Sequence, residues 1–355
     1  MNAPVLIMAG GTGGHIFPGL AVAAELRARG VPVLWLGSTG GLETRLVPQA
    51  GLPIETLSIG GVRGKGLLTL LMAPLRIARA VLASWRIVRR VRPRSALALG
   101  GFACGPGGLA ARLARVPLVV HEQNSIPGAT NRTLSHFAQK SLCGFSGALP
   151  HGEWIGNPVR AEIAHVAPPA RRWADRTGAM RLLVLGGSQG ARALNERVPQ
   201  ALARLPATQR PEVRHQCGAK FADAARDAYT KAGIEASVEP FIDDMAAAYA
   251  WADLVVCRAG ALTLAELAAA GAGSVLVPFP FAVDDHQTAN ARAWVAAGAA
   301  LLLPESEASA ERLAALLGEL LGNRARLLAM AQAARTLAKP EAAARIADVC
   351  LGVAA

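Results

Sequence analysis

One device occurs twice in this chain, and it constrains the fold more than anything else in the sequence. Gly10-Gly11-Thr12-Gly13-Gly14 and Gly186-Gly187-Ser188-Gln189-Gly190 match position by position. Each follows an apolar run, Val5 to Met8 or Leu182 to Leu185, and each precedes an alanine-bearing helical pattern. Strand, glycine loop, helix is the layout that aims backbone N–H groups and a helix N-terminus at an anion. Glycine lets the backbone approach a ligand where a Cβ would clash. His15 stands at the mouth of the first such helix, and its imidazole is the loop's one side chain that takes a proton near neutral pH. The plainer reading of the first loop is a tight strand-to-helix turn with His15 as a polar first-turn residue.

The spacing rules out two nucleotide motifs. Gly11-x-Gly13 is followed by Ile16 where a dinucleotide fingerprint needs its third glycine. The next strand ends in Gly37-Ser38-Thr39, with no acid to hold a ribose. No Gly-x-x-x-x-Gly-Lys-Ser/Thr occurs, so a P-loop is excluded.

Apolar strands are expected at 4–8, 33–36, 54–57, 96–99, 118–121 and 140–143, mostly separated by helical patterns. A second set follows at 181–185, 213–216, 237–239, 254–257, 274–277 and 300–302, with helices at 263–270, 287–297 and 310–320. Near-continuous apolar strands alternating with helices predict parallel sheets covered on both faces. Ligands then gather outside the carboxyl ends of the strands. The first glycine loop, the run from Gly100 to Gly108 and His121-Glu122-Gln123-Asn124 all fall at such ends. A domain boundary is expected at Gly156-Asn157-Pro158-Val159-Arg160, with Pro168-Pro169-Ala170-Arg171-Arg172 as linker. The division is 1–159, 160–339 and a closing helix, 340–355, set off by Pro340 and packing on the first domain.

At 355 residues the chain can build two cores. Hydrophobic residues reach 52%, yet no segment approaches the ~20 apolar residues of a membrane span. The N-terminus lacks a basic region, so no signal peptide is expected. Five scattered cysteines without a Cys-x-x-Cys pair fit reduced thiols and argue against a zinc site. A net charge of +12 points to anionic partners. Residues 67–94 combine Leu67, Leu68, Leu70, Leu71, Met72, Leu75 and Ile77 with arginines at 76, 79, 86, 89 and 90, and Lys65, Arg92 and Arg94 flank them. A basic helix face beside exposed leucines suits an anionic membrane surface. A covering helix with a solvated basic side is the alternative. With aromatics at 5% and no recognised module, nucleic-acid binding is not expected.

A second cluster begins at Cys257. Arg258-Ala259-Gly260-Ala261-Leu262-Thr263-Leu264-Ala265-Glu266 is again loop and helix. Thr263-x-x-Glu266 fits a capping box, which needs no ligand. Alternatively Glu266 accepts from ribose hydroxyls while the helix N-terminus faces a diphosphate. Arg258 either pairs with phosphate or braces the loop. In residues 278–287, Phe279 and Phe281 could wall a pocket. Asp284 or Asp285 is expected as an N-cap rather than a metal ligand, which leaves Gln287 in the first turn. Ile242 offers a backbone contact to a base edge, or simply precedes another Asp cap.

Taken together, Gly-Gly-Thr-Gly-Gly-His, Gly-Gly-Ser-Gln-Gly-Ala, Arg-Ala-Gly-Ala-Leu-Thr-x-x-Glu, His-Glu-Gln-Asn and Gly-Asn-Pro-Val-Arg resemble the MurG family of bacterial β-N-acetylglucosaminyltransferases, in family order over essentially the whole chain. The resemblance implies a glycosyltransferase-B architecture, α/β, with two Rossmann-like parallel-sheet domains facing across a cleft. The first would carry the lipid acceptor and a membrane face, the second UDP-N-acetylglucosamine. It implies an inverting transfer of N-acetylglucosamine to the 4-hydroxyl of undecaprenyl-diphosphate-linked muramoyl-pentapeptide, lipid I, giving lipid II for peptidoglycan synthesis. The site is the anionic cytoplasmic face of the inner membrane, with no cofactor and no metal. Carried over by position, Thr12, Gly13, Gly14, Asn124, Arg160, Ser188, Ile242, Arg258, Ala261, Leu262, Thr263, Leu264, Ala265, Glu266 and Gln287 would meet the donor. Gly101, Phe102 and Gly105 would meet the acceptor. Relatives often have tyrosine where this chain has Phe102. His15 is the candidate base, since an unperturbed imidazole titrates near ~6.5, and Glu122 is the reserve. The alternatives are another UDP-sugar transferase of the same architecture and, less favoured, a nicotinamide oxidoreductase.

Overall fold

The computed structural model describes residues 3–59, 72–187 and 189–353. Ser188, Lys65 and the leucines at 67, 68, 70 and 71 lie outside the described residues. The chain forms two compact units, Met1–Arg160 with Pro340–Ala355, and Ala161–Lys339, so Arg160 belongs to the first.

The first unit is a seven-stranded parallel sheet. Its strands are β1 (Val5–Ala9), β2 (Val33–Ser38), β3 (Ile54–Leu57), β4 (Ser95–Gly100), β5 (Leu118–Glu122), β6 (Lys140–Cys143) and β7 (Glu153–Trp154). They lie in the order 3-2-1-4-5-6-7, which puts the glycine loop after β1 at the point where strand order reverses. All five residues of β1 are buried, as a strand covered on both faces requires. Ile7, Ile16, Leu26, Trp35, Leu97 and Leu99 pack in one core, which the closing helix Ala342–Gly352 completes with Ile346, Ala347 and Cys350. Each fully buried aliphatic side chain contributes roughly 1.5–3 kcal/mol. Arg29 pairs with Asp348 and Arg345 with Glu153 to hold that helix on the first unit.

The second unit is a six-stranded parallel sheet of β8 (Arg181–Leu185), β9 (Glu212–Gln216), β10 (Ser237–Glu239), β11 (Leu254–Cys257), β12 (Ser274–Leu276) and β13 (Ala300–Leu302), in the order 10-9-8-11-12-13. Again the glycine loop follows the strand where the order reverses. Leu182, Val184, Leu194, Val198, Leu254, Val256, Leu313 and Leu317 share its core.

Residues 168–172 are not a linker. Pro169–Trp173 is a short helix with proline at its start, and Arg172 reaches into the second unit to donate to the carbonyls of Tyr249, Ala270 and Gly271. Arg176 does the same for Ala250 and Trp251 and pairs with the buried Asp253. Cations at the carboxyl ends of two helices satisfy carbonyls that no intrahelical N–H can reach. Burial lowers the Arg172 guanidinium to about 10, which leaves it charged at neutral pH.

Candidate functional site

In the first unit the chain turns from β1 straight into a helix. Thr12 is the extended N-cap, and the helix Gly13–Ala28 starts inside the glycine run. The Gly10 N–H donates to the Gly100 carbonyl at 3.2 Å. Gly101 has φ +95°, and a Cβ there would stand 2.5 Å from the Gly10 carbonyl oxygen, so only glycine fits. Cys104, at the start of the helix Cys104–Leu113, pins the same turn by donating to the Met8 and Gly100 carbonyls. Burial pushes its thiol up to about 12, so it stays neutral.

His15 is half-buried, and its Nδ1 lies 3.2 Å from the Gly10 carbonyl oxygen. A carbonyl only accepts, so in the neutral ring Nδ1 carries the proton and Nε2 the lone pair. The ring lies against Gly100, where a Cβ would stand 2.7 Å from Cδ2 and Nε2.

Beneath the loop sits a residue that the sequence did not single out. Glu43, fully buried at the start of the helix Glu43–Gln49, accepts from the Ser38 N–H at 2.8 Å and the Gly11 N–H at 3.1 Å. Gly10, Gly37 and Gly41 close around it, and a Cβ on any of the three would strike its carboxylate or its stem.

The end of β5 supplies a third loop. Glu122 is buried, and its carboxylate accepts from the Asn124 N–H and amide, the Gly128 N–H and the Asn131 amide at 2.9–3.2 Å. Three of these donors fix residues 124–128 on that carboxylate, and the fourth comes from Asn131. Asn131 also donates to the Leu99 carbonyl, tying β5 to β4. His121 is buried, with Nε2 on the Gly156 carbonyl and Nδ1 on the Gln123 amide, and burial lowers it to about 4. The Asn157 amide donates to the Gln123 carbonyl. The His-Glu-Gln-Asn and Gly-Asn-Pro segments therefore interlock. Arg160 lies over the Phe17 ring at 5.4 Å, Phe102 is half-exposed, and Gly105 opens toward Thr130.

In the second unit the matching glycines take a different path. Gly190 has φ +75° and its N–H returns to the Gly187 carbonyl, and the helix begins only at Arg192. The loop is clamped by Gln216 at the end of β9. Its amide oxygen accepts from the Gly187 N–H at 2.9 Å, while its nitrogen donates to the Gly187 and Pro240 carbonyls.

The helix Ala261–Ala270 has Gly260 as its N-cap, so Thr263 lies inside the first turn and there is no capping box. Neither Gly260 nor Ala191, the N-cap of the helix Arg192–Ala203, has a side chain to satisfy the helix N–H groups. Ala261, Leu262 and Thr263 present first-turn amides. Leu264 does not, because its N–H bonds the Gly260 carbonyl and its side chain is in the core, and Ala265 follows it along the helix. Glu266 is buried and accepts from the Tyr249 hydroxyl at 3.0 Å. Arg258 braces the loop. It donates to the Val277 and Pro278 carbonyls, pairs with Glu305 at 2.5 Å and lies over Phe279. Ile242 has a buried side chain, and Asp244 caps the helix Met245–Trp251 by accepting from the Ala247 N–H.

Residues 278–287 differ from expectation. Phe279 and Phe281 meet edge to face at 5.7 Å and point outward, Phe281 being 81% exposed. Asp285 occupies the N-cap position of the helix His286–Ala296, but its carboxylate accepts from the Thr288 hydroxyl rather than from a backbone N–H. Its φ of +50° turns it away from the usual cap geometry. Gln287 accepts from the Phe279 N–H at 2.9 Å, leaving its –NH2 as the group that can meet a hydroxyl.

Each unit therefore joins glycine-lined backbone to a helix N-terminus, and the first adds an imidazole with a defined lone pair. Among the described residues no cluster of three His, Cys, Asp or Glu could hold a metal ion. The glycosyltransferase family 28 N-terminal domain matches residues 5–143, and its C-terminal domain matches residues 181–346. The chain is 63% identical over 351 residues to a UDP-N-acetylglucosamine–N-acetylmuramyl-(pentapeptide) pyrophosphoryl-undecaprenol N-acetylglucosamine transferase of Xanthomonas euvesicatoria pv. vesicatoria, covering 99% of this chain and 81% of that protein. A protein of the same description from Xylella fastidiosa is 58% identical, with 98% and 95% covered. The crystal structure of Acinetobacter baumannii MurG superposes with a TM-score of 0.84 at 40% identity, over 98% of this chain and 99% of that one.

Proposed function

The chain belongs to the MurG family within glycosyltransferase family 28, and from that premise we propose that it moves N-acetylglucosamine from UDP-N-acetylglucosamine to the 4-hydroxyl of lipid I, giving lipid II. The observation that carries this reading is the 63% identity over 99% of the chain to a protein of that activity. The muramoyl C4 oxygen bonds to the sugar C1 while the C1–oxygen bond to UDP breaks, which inverts the anomeric centre. His15 Nε2 takes the hydroxyl proton, a role supported by the bond that puts the ring proton on Nδ1. UDP leaves with added charge. The N-termini of the helices Arg192–Ala203 and Ala261–Ala270 hold it, through the amides of Ala261, Leu262 and Thr263 and through Ser188.

Glu266 takes the ribose hydroxyls, the Ile242 backbone the uracil, and Gln287 a sugar hydroxyl. In the first unit Thr12, Gly13, Gly14 and Asn124 serve the donor sugar and Arg160 the nucleotide side. Gly101, Phe102 and Gly105 serve the acceptor. Glu122 positions Asn124, a role supported by its four donors. Arg258, Leu264 and Ala265 hold the loop and helix that carry the donor contacts.

No helix among the described residues is long and apolar enough to cross a membrane. The protein instead lies on an anionic inner-membrane surface from the cytoplasmic side. Supporting this, the helix Ala73–Val91 exposes Leu75, Ile77, Leu82 and Trp85 together with five arginines, at 76, 79, 86, 89 and 90.

The test is transfer of labelled N-acetylglucosamine to a lipid I analogue, with calorimetry of UDP-N-acetylglucosamine, NAD and DNA. Labelled lipid II analogue and binding of the UDP-sugar alone are expected. A protein that binds the UDP-sugar but ignores lipid I would be another UDP-sugar transferase, and binding of NAD would point to the oxidoreductase reading.

A further inference from the structure

One peptide group joins the buried carboxylate to the imidazole. The Gly10–Gly11 peptide donates its N–H to Glu43 Oε2 at 3.1 Å, and its carbonyl receives His15 Nδ1 at 3.2 Å. No peptide bond among the described residues is cis, so this oxygen and this hydrogen point in opposite directions within one plane, with His15 at one end and Glu43 at the other. We propose that Glu43 is a positioning residue that acts on His15 through the Gly10–Gly11 peptide. This rests on the assignment of His15 as base.

The physical chain is short. A carboxylate on the N–H draws the amide toward its charge-separated form and puts more negative charge on the carbonyl oxygen. That oxygen then holds the Nδ1 proton more firmly, keeps the lone pair on Nε2 and stabilises the imidazolium that forms when the acceptor hydroxyl is deprotonated. It is the role a carboxylate plays when bonded directly to a catalytic histidine, exerted here through one amide. The surroundings make Glu43 specific to this task. It is fully buried, its other oxygen is held by the Ser38 N–H, and three glycines leave room for it.

Other ionisable groups on the elements packed around this helix start have other commitments. Cys104 is a neutral thiol held by two carbonyls. Glu122 is bound by three donors of its own loop and by Asn131 of the helix Ala129–Ser135. Arg160 lies over Phe17. Arg29, Glu25 and Asp348 form a cluster at the far end of the helix.

The experiment compares wild type with Glu43→Gln and Glu43→Asp by 15N NMR of the His15 ring, assigned from the signal lost in His15→Asn, alongside the pH profile of kcat. Wild type is expected to carry its neutral-ring proton on Nδ1. Glu43→Gln lowers the His15 titration midpoint by about half a unit or more and kcat by about tenfold, with the donor KM within about threefold. Glu43→Asp keeps the charge and recovers part of both. If Glu43→Gln does not fold, Glu43→Asp carries the measurement, with a smaller downward shift of the midpoint. A folded variant whose ring shifts and midpoint match wild type overturns the proposal, and so does a loss of kcat with an unmoved pH limb. If the NMR midpoint moves while His15→Asn keeps its turnover, the coupling stands and the base assignment falls.

Discussion

Tyr249, on the helix Met245–Trp251, donates its hydroxyl proton to Glu266 Oε2 on the helix Ala261–Ala270 at 3.0 Å. The bond holds a buried carboxylate, so its direction is set by a neighbouring helix. Tyr249→Phe keeps the ring packed and removes one charge-assisted hydrogen bond, a loss of about 1 kcal/mol. The dissociation constant for UDP-N-acetylglucosamine is expected to rise about three- to tenfold, with kcat nearly unchanged, by calorimetry and steady-state kinetics. An effect on kcat alone would show that Glu266 does not serve ground-state donor binding.

Much of this was legible in the sequence, because apolar runs and glycine punctuation are local signals. Among the described residues, twelve of the thirteen strands follow from them; β7, only two residues long, does not. The first helix starts at Gly13, inside the glycine run, and not after it, since glycine's low propensity hides a start imposed by the tight turn. What the sequence hides is tertiary. Glu43 reads as an acid in the first turn of a surface helix, and Gln216 as a strand-end polar residue. Only the folded sheet shows that each clamps a glycine loop from the neighbouring strand's side. Arg172 looks like part of a linker because nothing local shows that three carbonyls await it.

Gly101→Ala tests the contact between the β1 and β4 loops. An alanine there must hold φ +95° and place its Cβ 2.5 Å from the Gly10 oxygen. The substitution is expected to cost about 2–4 kcal/mol or to push the Gly10 turn away from His15. Transfer activity should fall by roughly a hundredfold through misplacement of the base. Gly105→Ala is the stability control: its Cβ would meet only the Thr130 methyl at 3.8 Å. Its unfolding free energy should stay within about 0.5 kcal/mol of wild type or rise. Equal melting points for wild type and Gly101→Ala would refute the steric argument.

Acid should weaken both units through two buried histidines. His121 in the first is lowered to about 4 and His215 in the second to about 3, each by burial. Unfolded, both titrate near ~6.5. Below that pH the unfolded chain binds protons that the native rings refuse, so stability falls as pH drops from about 6.5 and levels off once the native ring also protonates, near about 4 in the first unit and about 3 in the second. By pH 5 the loss is on the order of 2 kcal/mol per ring. Hydrogen exchange of β5 and β9 in urea at pH 7, 6 and 5 reads each unit separately. Midpoints independent of pH across that window would contradict it.

The proposed membrane face makes the last prediction. On the helix Ala73–Val91, Ala80, Ser84 and Val88 form the buried stripe at helical spacing, so the opposite side carries Leu75 and Leu82 outward; Ile77 is exposed one turn before the stripe begins, and Trp85 lies under the Arg89 guanidinium at 5.5 Å. The neighbouring helix Cys104–Leu113 leaves Leu109 and Leu113 exposed as well. Apolar side chains ringed by arginines gain from insertion at the headgroup boundary and from the negative surface potential, about 1 kcal/mol per arginine near the surface. Replacing Arg86 and Arg89 by glutamine should therefore weaken binding to phosphatidylglycerol vesicles by about 2 kcal/mol, roughly thirtyfold. Wild-type binding should fall with salt and be weak on neutral vesicles. Because Arg90, not these two, pairs with Glu55, the helix keeps its anchor to β3. Transfer to a water-soluble lipid I analogue should stay at the wild-type rate, which separates docking from chemistry. Equal binding of wild type and variant in vesicle sedimentation would remove this helix as the docking face.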